Sequence, residues 1–286
     1  MKKIARAPRR LASLVRDGVA FTTTPKSIPL VYFDSVKNVG DLISPYLVQR
    51  ITNRKTHRPH TAVMPRLLGV GSIFSSATRN AYVWGSGLMS PEHARFEISP
   101  ERVSAIRGKR TRDFLHKSYD LKKDLALGDP ALLMPMFYNP VPPAIKDEKI
   151  GIIPHYVDFE LAKRMTSEMG AAITLINVQQ EPESFIDELI SCTVVMSSSL
   201  HGLILADTYQ VPNAWIAMSN NISGGSWKFH DYYTTTDNEG PRMFCIRSAS
   251  DIYDLIVANE TPFQVSRFQE KLSDLYGSFP SRFLDQ

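Results

Sequence analysis

From Lys149 to Met218 the sequence alternates short runs of apolar, β-branched residues with amphipathic stretches of helical spacing, and few folds accommodate that pattern. Strands are expected over Lys149–Pro154, Ala172–Val178, Thr193–Ser197 and Asn213–Met218. Helices are expected over Phe159–Met169, residues 183–191 and Leu200–Tyr209. Apolar strands separated by single helices predict a parallel sheet covered on both faces, because a parallel neighbour is reached only through a crossover. A weaker version of the alternation precedes it. Ile28–Phe33, Leu67–Val70, Ala81–Trp84, Val103–Ile106 and Leu125–Leu127 read as strands, with a helix through Leu42, Ile43, Tyr46, Leu47 and Ile51 and another over Thr111–His116. The fold class is α/β, with two Rossmann-like, doubly wound domains facing across a cleft.

Between the two sets lies Asn139-Pro140-Val141-Pro142-Pro143, followed by charged residues from Lys146 to Lys149. Proline-dense chain is stiff and extended, so the junction is placed there. The expected layout is a basic tail over residues 1–27, an N-terminal domain over 28–143, and a C-terminal domain with a terminal helix over 148–286. Of the net charge of +4, residues 1–17 carry +5 and the remainder −1. The body is therefore not expected to bind nucleic acid. The basic start, interleaved with Ile4, Leu11, Leu14 and Val15, reads as a solvated tail or as a peripheral contact with anionic membrane. No apolar run approaches the roughly 18 to 20 residues of a membrane span. A cytoplasmic protein is expected, with Cys192 and Cys245 as buried, reduced thiols.

Ligands of open parallel sheets bind beyond the carboxyl ends of strands, which directs attention to the strand exits. The most informative one is Ser197-Ser198-Ser199-Leu200-His201-Gly202, where a buried strand passes directly into a helix. Such a corner aims backbone N–H groups and the positive helix end at an anion, with the serines as caps or phosphate donors. His201 falls in the first turn, and Gly202 allows close approach. Arg107 leaves another strand beside Gly108, suited to a bidentate grip on a carboxylate or phosphate. Lys228 follows Gly224-Gly225 as a second anion ligand, with Asp231 expected to cap a helix or turn. Asn38, Gly40 and Asp41 stand at a helix entrance, and Trp84, Gly85 and Ser86 at a strand exit that reads either as the lining of an acceptor pocket or as a turn of the chain. Gly69-Val70-Gly71 lacks the third glycine of a dinucleotide fingerprint, and no Walker lysine follows it. No His/Cys/carboxylate cluster has metal-ligand spacing, so neither a metal nor a cofactor is expected.

Asn38-Val39-Gly40-Asp41, Ile106-Arg107-Gly108, Leu127-Gly128-Asp129-Pro130 and Ser198-Ser199-Leu200-His201-Gly202, in that order, resemble the polysaccharide pyruvyl transferase family. The resemblance covers roughly residues 30 to 230 and is closest to the bacterial exopolysaccharide ketal pyruvyl transferases. It implies a two-domain fold similar to GT-B glycosyltransferases, with phosphoenolpyruvate as donor. It also implies a sugar acceptor, free or lipid-linked, that receives the pyruvyl group as a cyclic ketal. The family's cationic and histidine positions fall on Arg107, His201 and Lys228. The resemblance implies Arg107, Lys228 and the 197–202 corner on the donor side, with Asn38, Gly40, Asp41, Trp84, Gly85 and Ser86 on the acceptor side. Gly108 departs from the aspartate that many relatives carry after the arginine. Asp129 reads as a turn residue or as an orienting group. The rival readings are a nucleotide-sugar glycosyltransferase of similar architecture and a non-catalytic saccharide-binding protein.

Overall fold

The computed structural model describes residues 26–93, 96–143, 149–258 and 262–284, together with Ser13 and Arg16. Apart from Ser13, Arg16, Lys26 and Ser27, the basic tail lies outside the described residues, as does the charged part of the connector at 144–148.

The first half contains β1 (Ile28–Val31), α1 (Val39–Thr52), β2 (Thr56–His57), β3 (Arg66–Leu68), β4 (Ala81–Trp84), β5 (Val103–Ile106), α2 (Lys109–Tyr119) and β6 (Ala126–Leu127). Its six strands form one parallel sheet of order β2-β1-β3-β4-β5-β6. The second half contains β7 (Ile150–Ile153), α3 (Phe159–Thr166), β8 (Ile173–Leu175), α4 (Pro182–Ser191), β9 (Val194–Ser197), α5 (Leu200–Thr208), β10 (Asn213–Ala217), α6 (Trp227–Tyr233), β11 (Met243–Cys245), α7 (Ala249–Ile256) and α8 (Leu272–Gly277). Its strands form a second parallel sheet, β11-β10-β9-β7-β8. The expected α/β class therefore holds, with two parallel sheets where two were expected. The expected strands Ala81–Trp84 and Val103–Ile106 match the structure, and the others run past the ladder at one or both ends, because hydropathy continues beyond the last ladder hydrogen bond.

Side chains alternate across each strand, so consecutive residues feed different cores. In β7, Ile152 faces an outer core with Ala162, Met196, Ile216 and Ile252, whereas Ile153 faces inward. In β4, Val83 joins an outer core with Leu68, Phe74 and Leu115, and Trp84 turns inward. The inner core is common to both halves. It joins Ile28 and Leu30 of β1 and Ile43 and Leu47 of α1 to Phe185 and Leu189 of α4, Val195 of β9 and Leu203 of α5.

Two further features were not legible in the pattern. The C-terminal segment returns to the first sheet: Trp84 Nε1 donates to the Leu275 carbonyl at 2.8 Å, Phe279 packs edge-on to Trp84 at 4.9 Å, and Phe283 packs edge-on to Tyr82 at 5.4 Å. Cys245 corrects an expectation. It lies exposed on the edge strand β11, while Cys192 is buried, and neither is in a disulfide. No described helix is long and apolar enough to cross a membrane.

Candidate active site

Each sheet reverses its strand order once, between β1 and β3 in the first and between β7 and β9 in the second. At such a switch point neighbouring loops diverge and leave a crevice. A cleft of about 230 Å³ opens where the two crevices meet. The first sheet contributes Phe33, Asn38 and Asp41 after β1, Gly71, Ser72 and Ile73 after β3, and Met89 after β4. The second contributes His155, Tyr156 and Val157 after β7, Ser199, Leu200 and His201 after β9, and Asn221, Ser223 and Lys228 after β10.

The local sequence explains how these groups are held. Asn38 is the N-cap of α1, its side chain accepting from the Gly40 amide at 3.1 Å, which brings Asp41 into the first turn facing the cleft. Gly40 has no room for a side chain, because a Cβ there would stand 2.0 Å from Nδ1 of His201. The imidazole therefore lies flush on the α1 entrance. Its other nitrogen, Nε2, is 3.5 Å from Oδ2 of Asp129, and both atoms are buried without a hydrogen-bond partner. Asp129 is itself fixed through Oδ1, which accepts from the Ala131 amide at 3.0 Å. Asp129 thus serves the turn through Oδ1, while Oδ2 stands beside the imidazole.

The three serines divide the work. Ser197 Oγ donates within the corner, to the Ile153 or Ser199 carbonyl, and accepts from the Ser199 amide. Ser198 Oγ accepts from the His155 amide at 2.9 Å and so positions the loop after β7. Ser199, at the N-cap position of α5, lines the cleft. Gly202 serves packing, since a Cβ would meet Ser197 Oγ at 2.4 Å and Ile153 at 2.8 Å.

The electrostatics are concentrated. Burial pushes the Asp41 carboxyl up to about 6, against the opposing pull of His201, Lys228 and the Phe33 backbone. Burial lowers Lys228 to about 8, helped by the Arg107 charge and opposed by Asp41. Burial also lowers His155 to about 4, with Lys228 adding to the effect, so this imidazole is neutral at pH 7. Lys228 is only 7% exposed, so its remaining access is to the cleft.

Arg107 and the Trp84–Ser86 group are placed differently from the expected direct contacts. Arg107 is fully buried behind the cleft wall, with Nε donating to Asp231 Oδ2 at 3.0 Å, Nη2 to the Leu88 carbonyl at 2.8 Å and Nη1 to Ser72 Oγ at 2.5 Å. Gly108 follows from this arrangement: a Cβ there would stand 1.9 Å from the Asp231 carbonyl oxygen. Asp231 does act as a cap, but for a helix of the other half, its Oδ1 accepting from the Thr111 amide in α2. Trp84 belongs to the inner core, Gly85 packs on Pro130 with φ of +80°, and Ser86 donates to the Gly71 carbonyl. None of the three lines the cleft. His155, Tyr156, Ser72, Asn221 and Ser223 were not singled out from the sequence. His155 sits two residues past the end of β7, so the strand-exit rule that selected Arg107 would have found it too.

An uncharacterized protein of Acanthamoeba polyphaga mimivirus is 29% identical over 220 residues, which span 75% of this chain and 76% of that protein. Residues 101–220, the stretch that carries Arg107, Asp129, His155 and the Ser197–Gly202 corner, match the model of the polysaccharide pyruvyl transferase family, the family that the sequence motifs resemble.

Proposed function

We propose that this chain is a GT-B-like transferase that moves the pyruvyl group of phosphoenolpyruvate onto two hydroxyls of one sugar, forming a cyclic ketal and releasing phosphate. The observation that carries the reading is the convergence of Asp41, His201 and Lys228 in a single small cleft. A transferase for this donor needs a cation for a multiply charged anion, a proton donor for the enol carbon and a base for the attacking hydroxyl. Lys228 and the first-turn amides of α5 supply the cationic cradle. His201, backed by Asp129, delivers a proton to C3 of the donor, which makes C2 electrophilic. The first sugar hydroxyl adds to C2 and gives its proton to Asp41. The second hydroxyl then displaces phosphate from C2 and closes the ketal, its proton returning to His201 while the proton held by Asp41 leaves on the phosphate. No metal or cofactor enters this scheme.

The cleft's volume, about 230 Å³, lies below the roughly 300–1,000 Å³ of sites for drug-sized ligands. That favours a small phosphate ester over a nucleotide sugar as donor. We place the activity in exopolysaccharide biosynthesis, on a free or lipid-linked acceptor at the cytoplasmic face of the membrane, with the N-terminal half on the acceptor side.

The test is incubation with phosphoenolpyruvate and candidate oligosaccharides, following phosphate release and the mass gain of the sugar. His201→Ala is expected to abolish product while leaving the circular dichroism spectrum unchanged. Wild-type turnover in that variant would remove His201 from the mechanism. Thermal stabilisation by nucleotide sugars and not by phosphoenolpyruvate would replace the reading with glycosyl transfer.

A further inference from the structure

The loop after β3 carries a polar group that neither the family motifs nor the scheme above uses. Ser72 lines the cleft, and its Oγ lies 2.5 Å from Nη1 of the fully buried Arg107. A guanidinium has donors and no acceptor, so Ser72 Oγ must be the acceptor in this bond. Its own O–H then points elsewhere, and a hydroxyl that accepts from a cation is polarised as a donor.

The surroundings hold this geometry in place. The Gly71 carbonyl accepts from Ser86 Oγ at 2.9 Å and from the Gly87 amide at 3.0 Å, which pins the loop to the exit of β4. Gly71 itself has φ of +107°, a conformation that glycine adopts without strain. Gly87 leaves the passage through which Arg107 reaches the loop, since a Cβ there would stand 2.4 Å from the guanidinium carbon. On its far side Arg107 is held by Asp231 and the Leu88 carbonyl.

We propose that Ser72 is an anion-binding residue of the cleft and that Arg107 is a positioning residue acting through it, so that a buried arginine reaches the ligand by way of one serine hydroxyl. The anion is a phosphate or carboxylate oxygen of the donor, and this identification rests on the function proposed above. Ser86 and Gly87 thereby serve the ligand indirectly, by building the support for Ser72.

Isothermal titration of the full chain with phosphoenolpyruvate, and separately with inorganic phosphate, tests the assignment. Ser72→Ala removes one hydrogen bond to a charged group and is expected to weaken binding about ten-fold or more. Ser72→Thr, which keeps the hydroxyl, is expected to stay near wild type. Wild-type affinity in Ser72→Ala, or an equal loss in both variants, would overturn the assignment. If the wild type binds phosphate but not phosphoenolpyruvate, the pyruvyl transfer reading fails, and Ser72 is judged on phosphate affinity alone. Binding of neither anion overturns both.

Discussion

Asp41, Lys228 and His155 show how one small volume separates the titrations of its groups. Each is partly or wholly withdrawn from water, and desolvation disfavours the charged form of each. The carboxyl therefore rises to about 6, while the ammonium falls to about 8. A base must be ionised and an anion ligand must be charged, so activity should require a pH above the first value and below the second. The expected kcat/KM profile is a bell with limbs near 6 and 8. Lys228→Arg keeps its charge to much higher pH and should change the alkaline limb, at some loss of activity from altered shape. A flat profile between pH 5 and 9 would withdraw both roles. Of these groups, Asp41, His201 and Lys228 were readable as residues at strand exits or helix entrances. The shifted titrations of Asp41 and Lys228 were not, because desolvation depends on what the opposite half of the chain brings against them.

At the scale of elements, the junction of β5, α2 and α6 is the clearest case of a function reassigned by packing. The sequence marks Arg107 as a cation at a strand end, and it is one. What the sequence did not reveal is that α6, more than 120 positions downstream, brings Asp231 against it with both side chains wholly buried. The same carboxylate accepts from the amide and hydroxyl of Thr111, and Lys109 N donates to Thr234 Oγ1 at 2.8 Å. The N-terminus of α2 is thus capped by the other half of the molecule. Removing one partner of a buried ion pair strands the other charge in a medium that solvates it poorly. Asp231→Ala is expected to cost about 3–5 kcal/mol in urea denaturation. A loss below about 1 kcal/mol, the range of exposed pairs, would mean that water reaches Arg107. Strand and helix positions themselves were largely legible, since period-2 and period-3.6 hydropathy follow directly from backbone geometry. The edge strands β2 and β11 were missed, although β6, no longer than β2, was read.

For the whole molecule, the shared inner core determines how the chain behaves as a unit. Side chains from β1 and α1 interlock with those from α4, α5 and β9, and the C-terminal helix α8 closes over Trp84 of the first sheet. Halves joined in this way should not unfold separately. Single-tryptophan variants retaining Trp84 in the first sheet or Trp215 in the second are expected to report the same denaturation midpoint. Two separated transitions would show that the inner core does not couple the sheets. The sequence by itself determined the class of the fold, the existence of two parallel sheets and the strand exits that line the cleft. Those properties are local: alternation, capping and the strand-to-helix corner are written within a few neighbouring residues. Only the tertiary structure decided that both switch points open onto one cleft, that Asp129 stands behind His201, and that Arg107 sits behind Ser72. These depend on contacts between residues tens to more than a hundred positions apart, where burial and close approach arise from the packing of one half on the other.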